Sequence, residues 1–257
     1  MPPGPEHALA AALRPAAGPA RRVRVLVAGA TGATGEAVLA RLAASPRIGH
    51  IGLLLRQPVT VALRHVQGVV VSPDGPAGWP PQAADEGVVM FDPPRLFHGR
   101  EKALWHVEPG QLPGIAAWMK ASGVRRLLIV MPHVQGRLPE AVKHGLASLD
   151  EQAVTALGFD TLLIVRSAQP PGRVSGRSAP QRLAAAMLGV LHHLVPAREK
   201  PVRVQRVAEF AEAALALAPE GIHIAAPALV WDAAQGDTRA RVARWLQPDA
   251  ASRHNAG

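Results

Sequence analysis

The chain contains neither cysteine nor tyrosine. Without cysteine there are no disulfides, no thiolate metal sites and no cysteine nucleophile. Without tyrosine, no phenol can act as a proton donor anywhere in the protein. No apolar run approaches the ~20 residues that a membrane helix needs. Acidic residues are missing from two long windows, one between Glu36 and Asp74 and one between Asp160 and Glu199. H-E-x-x-H and G-x-S-x-G are absent, and no Asp/Glu pair has a constraining spacing. Zinc-peptidase, serine-hydrolase and glycosidase chemistry therefore have no footing. The net charge is +9, but the basic residues are spread out and no helix-turn-helix, zinc-finger or RNP-type pattern accompanies them, so nucleic acid is not the expected partner.

What the chain does have is the stretch Val23 to Leu42, VRVLVAGATGATGEAVLARL. A short apolar run leads into Gly29, Gly32 and Gly35, and a segment with helical spacing follows. Strand, glycine turn and helix in this order form the setting of a dinucleotide-binding loop. Gly29 is expected to turn the chain off the strand, Gly32 to let backbone approach a pyrophosphate, and Gly35 to let helix and strand pack closely. The candidate cofactor-binding residues are accordingly Gly29, Ala30, Thr31, Gly32, Ala33, Thr34 and Gly35.

Further strands are expected over 50–55, 68–72, 87–91, 126–131, 161–165, 201–204 and 221–225. Helices are expected over 111–122, 140–157, 180–194 and 206–218. Trp118 reads as a core residue. Strands alternating with helices of this length imply an α/β fold: a doubly wound, mostly parallel sheet with a small C-terminal cap. Residues 1–20 read as a flexible tail, 21–248 as a single domain with a cap or substrate region near 167–248, and 249–257 as a frayed end. The second strand ends in Arg56. An NAD enzyme usually places an acid near this point, whereas an NADP enzyme uses arginine for the 2′-phosphate. The acid-free window around Arg56 and Arg64 favours NADP(H) over NAD(H). The loop after the fourth strand carries Phe97, His98 and Arg100, in the place that normally underlies the nicotinamide.

Ala28–Gly35, AGATGATG, resembles the TGxxGxxG fingerprint of atypical short-chain dehydrogenases/reductases in the NAD(P)-binding Rossmann superfamily. The nearest likeness is to the Tat-interacting oxidoreductase-like and NmrA-like groups, and it runs from about Arg22 to Ala226. Its later marks are RRLLIVM, FDTLLIVR and PVRVQRV. The resemblance implies a Ser, a Tyr and a Lys four positions after the Tyr as the catalytic set. Lys143 aligns with that lysine, but Pro139 stands where the tyrosine belongs. Met131-Pro132-His133 stands where the family has its serine. Lys143 and His133 are the remaining candidate catalytic residues, with Lys143 also a candidate ligand of the nicotinamide ribose and His144 an alternative to His133.

Three readings follow. The first is an NADP(H)-binding sensor or weakly active protein. The second is an NADPH-dependent oxidoreductase of a small carbonyl or quinone with a non-standard proton donor. The third is a non-catalytic interaction protein that binds an acidic partner through Arg166, Arg173, Arg177, Arg182 and Arg198. No metal site is expected, and the absence of cysteine and of a signal-like N-terminus points to the cytoplasm.

Overall fold

A computed structural model describes residues 21–92, 94, 95, 99–133, 148–168 and 202–247. Seven strands form one sheet: β1 (Val23–Ala28), β2 (Ile48–Leu55), β3 (Val66–Val70), β4 (Glu86–Met90), β5 (Arg126–His133), β6 (Thr161–Ala168) and β7 (Gly221–Ala225). Their order is β3-β2-β1-β4-β5-β6-β7, and every neighbouring pair is parallel. The chain reverses direction across the sheet between β1 and β4, which is the topological switch point of a doubly wound fold.

Parallel strands joined by helical crossovers are covered on both faces, so their side chains are apolar at successive positions. The β1 residues Val25 and Val27 join Val38 and Leu42 of α1 (Gly32–Ala44) and Phe210 of α4 (Val204–Leu217) in one core. Leu26 and Ala28 face the other way, with Ile115, Trp118 and Met119 of α2 (Leu112–Ala121). Trp118 is core, as expected, and its indole N–H donates to the Pro80 carbonyl at 3.1 Å. Trp79 stands edge-on to both Trp105 and Trp118, at 4.9 and 5.3 Å.

Two expectations need correction. The β-branched stretch 201–204 is not a strand: residues 202 and 203 are irregular and α4 begins at Val204. The apolar stripe Val207, Phe210, Ala211, Ala214 has helical spacing, and burying it draws Val204 into the helix while Val202 stays outside. Two helices not expected from the sequence follow β7, α5 (Pro227–Ala234) and α6 (Thr238–Leu246). Pro227 suits the first turn of α5, and Asp237 caps α6 by accepting the Ala240 N–H at 3.0 Å. The remaining described helix, α3 (Ser148–Thr155), lies within the expected 140–157 element. The expected helix over 180–194 falls outside the described residues. No described helix is long and apolar enough to cross a membrane.

Candidate functional site at the glycine turn

The turn after β1 can be built only from the residue types found there. Gly29 and Gly32 have φ of +77° and +69°, a left-handed backbone that costs other residues energy. A Cβ on Gly29 would stand 1.9 Å from the Met90 carbonyl oxygen, where β1 meets β4. A Cβ on Gly35 would stand 2.6 Å from the Ala30 carbonyl carbon, so the first turn of α1 presses directly on the loop. Gly29 turns the chain off β1, and the close approach at Gly35 is to the loop residues Ala30 and Gly29 rather than to the strand. Ala30 and Thr31 are buried, Ala33 is exposed and Thr34 is half-buried. Thr31 is the N-cap residue but does not cap: its hydroxyl donates to the Asp92 carbonyl instead.

The amides at the start of α1 are nevertheless engaged, by carboxylates from far along the chain. The Gly32 N–H donates to Glu101 Oε2 at 3.1 Å, and the Thr34 N–H to Asp92 Oδ2 at 2.7 Å. Glu101 is only 7% exposed. Its Oε2 also accepts the Arg95 N–H at 2.7 Å, and its Oε1 accepts Arg95 Nε at 2.5 Å. Arg95 Nη2 reaches on to Glu36 Oε2 at 2.7 Å. Burial opposes the Glu101 charge. The Arg95 N–H, its guanidinium, the Gly32 N–H and the Arg95 charge outweigh burial and hold the carboxyl below its ordinary range. In turn, the hydrogen bond that the Arg95 guanidinium donates to Glu101 outweighs burial and makes that guanidinium harder to deprotonate.

The tip of β2 is also covered by the chain itself. The Arg56 N–H donates to the Ala103 carbonyl at 2.7 Å, and the Trp105 N–H to Leu54 at 3.0 Å. The Gly29 N–H donates to the Trp105 carbonyl at 3.1 Å. Residues 103–105 thus continue the sheet edge where β1 has turned away. The Arg56 guanidinium is exposed and lies over the Trp105 ring at 5.4 Å. The turn therefore fits a diphosphate in its backbone shape, but in this conformation carboxylates fill its mouth.

His133 ends β5, on the same edge of the sheet as Gly29, and its side chain lies outside the described residues. Lys143, His144, Phe97 and His98 also lie outside them, as does the Arg100 side chain. Arg64 is exposed. Of the basic group near β6, Arg166 is bound through Nη2 to both oxygens of Glu151, at 2.7 and 2.8 Å. The other four arginines of that group are outside the described residues. No cluster of three metal-ligating side chains occurs among the described residues.

One hollow lies away from the mouth and another adjoins it. The first, of about 380 Å³, sits at the opposite edge of the sheet among Asp85, Glu86, Arg125, Arg126, Asp160 and Glu220. Several of its charges pair with each other, as in Arg125–Asp160 at 2.6 Å and Arg126–Glu86 at 3.5 Å. The other, of about 610 Å³, runs between α1 and α4 and has Arg95 and Glu36 at one end.

No family model and no curated protein matches the chain. Among solved structures it is similar to a Rossmann-fold NAD(P)-binding family protein from Shigella flexneri, at 20% identity over 66% of this chain and 86% of that one, with a TM-score of 0.40. It is also similar to a nucleoside-diphosphate-sugar epimerase from Staphylococcus aureus, at 16% identity over 83% of this chain and 78% of that one, with a TM-score of 0.45. These are likenesses of chain path at low identity, and the chemistry of the site is read from its own residues.

Proposed function

We propose that the chain binds a nicotinamide dinucleotide at the glycine turn, NADP(H) in preference to NAD(H), and acts as a cofactor-binding or sensor protein. The observation that carries this reading is the glycine turn at the switch point of the sheet: Gly29 and Gly32 are left-handed, and Gly29 and Gly35 have no room for a Cβ. That is where this fold class offers helix amides to a diphosphate. Gly29 to Gly35 hold the diphosphate in this reading, and Arg56, at the tip of β2 in an acid-free stretch, favours a 2′-phosphate. Lys143 is the proposed ligand of the nicotinamide ribose, and His133 is the proton donor if chemistry occurs at all. With no tyrosine in the chain, the proton relay of the short-chain dehydrogenases is missing, so binding rather than turnover is the principal activity.

Fluorescence titration of the full chain with NADPH and with NADH tests the proposal. Saturable micromolar binding, tighter for NADPH, is the expected result. Binding of neither nucleotide overturns it and favours a second reading, an interaction protein that keeps the fold. That alternative draws its support from the two carboxylates already seated on the α1 amides.

A further inference from the structure

The filled mouth has its own consequence, which rests on the dinucleotide reading above. The Glu101 carboxylate does for Gly32 what a phosphate oxygen does in such a turn: it accepts the amide hydrogen bond and balances the positive end of the helix. A carboxylate and a phosphate cannot both occupy that position, because two like charges at hydrogen-bond distance from one amide repel each other. The diphosphate must therefore exchange with Glu101.

The main chain around Glu101 is fixed for such an exchange. Its carbonyl accepts the Leu104 N–H at 3.1 Å, and the following residues are pinned to β2 through Ala103 and Trp105. The side chain can leave the amide while the backbone stays in place. Arg95 bridges Glu101 in the mouth, through Nε, and Glu36 on α1, through Nη2, so a guanidinium already stands beside the position to be vacated.

We infer that Glu101 is a built-in competitor for the dinucleotide pyrophosphate, holding the Gly32 amide until a phosphate oxygen replaces it, and that Arg95 passes from the carboxylate to the phosphate. The protein then binds its nucleotide by anion exchange, with an affinity set by the difference between two charged hydrogen-bond sets.

The test uses the full chain and its Glu101→Gln variant, titrated with NADPH, NADH and inorganic pyrophosphate. Glutamine keeps an acceptor for the Gly32 N–H but removes the charge. A hydrogen bond to a charged group corresponds to roughly ten- to hundredfold in affinity, and Glu101→Gln is expected to bind NADPH and pyrophosphate tighter by about that factor. Adding Arg95→Met to Glu101→Gln is expected to reverse most of the gain. Glu101→Asp guards against a folding defect in the glutamine variant. It withdraws the carboxylate by one methylene, keeps the charge, and is expected to give a smaller gain of the same sign.

Equal or weaker binding by both Glu101 variants, with wild-type binding intact, overturns the competitor and leaves the dinucleotide reading standing. Tighter pyrophosphate binding by Glu101→Gln, with neither nucleotide bound by any form, supports the exchange and removes the dinucleotide. No binding of any probe by any form overturns both.

Discussion

Two nearly buried carboxylates stand at opposite ends of the same sheet, each beside arginine, and they do different work. Glu86, 3% exposed, begins β4. Its Oε1 lies 2.7 Å from Arg47 Nη1 and 3.5 Å from Arg126 Nε. Arg126 also donates through Nη2 to the carbonyls of Leu215 and Ala218, both at 2.8 Å, which ties the start of β5 to the end of α4. Glu101, at the other end, holds a helix amide beside two left-handed glycines. Burial of charge is common to both sites, so it does not mark function. The difference is position: at the carboxyl ends of the strands the carboxylates meet the amides that open α1, whereas at the amino ends Glu86 meets arginine side chains.

The comparison can be broken first at the glycine turn. Gly29→Ala places a Cβ against the Met90 carbonyl in a left-handed backbone. It is expected to cost about 4 kcal/mol, from strain at a special φ,ψ together with overpacking, read as a large fall in Tm. Gly158, also left-handed at φ +67° but with nothing within 4 Å of a Cβ, is the control, and Gly158→Ala is expected to cost only about 1 kcal/mol.

Next in size is Glu86→Gln. It strips the carboxylate from Arg47 and Arg126 and is expected to cost about 3 kcal/mol in denaturant unfolding, since one partner of a buried pair is left uncompensated. It should leave nucleotide affinity unchanged. Glu101→Gln reverses that pattern, with a loss of about 1–2 kcal/mol of stability and tighter binding.

The acid limb of stability sharpens the contrast. The Glu101 carboxyl titrates below its ordinary value of 4.5 in the folded chain. Its contribution is therefore fully present above that value and is lost as pH falls through the lower, folded one. Unfolding measured from pH 6 downward should show wild type losing stability in this range, and Glu101→Gln losing less of it. The smallest effect belongs to Arg56→Ala. It removes a guanidinium from the Trp105 face at an exposed site and is expected to cost about 0.5–1 kcal/mol in Tm-derived stability. In the proposed function it also narrows the preference for NADPH over NADH.

How much of this was legible in the sequence differs between the two ends of the chemistry. The central strands could be read because both faces are buried, so runs such as GLLL in β2 and LLIV in β6 are apolar at successive positions. The glycine turn could be read because its constraints are local: Gly29, Gly32 and Gly35 act on a strand and helix within a few residues. The carboxylates on the α1 amides could not be read. Glu101 is 69 residues from Gly32, and Asp92 is 58 from Thr34, and an acid in a loop carries no periodic signal. The Asp92-Pro93-Pro94 sequence did place an acid at the end of β4, on the correct edge of the sheet. Its bond to Thr34 depended on how β4 sits beside β1, which the fold supplies. The misread 201–204 stretch follows the same logic, because β-branched propensity is weak beside the burial of a helix face.

The claim on which the account turns is that the α1 amides receive a dinucleotide phosphate. Amide NMR of the full chain during NADPH addition tests it most directly, by following the Gly32 and Thr34 N–H resonances. The account predicts saturable shifts at both, among the largest in the spectrum, with matching changes at Arg95. Resonances at Gly32 and Thr34 that stay fixed while NADPH saturates the protein would contradict it.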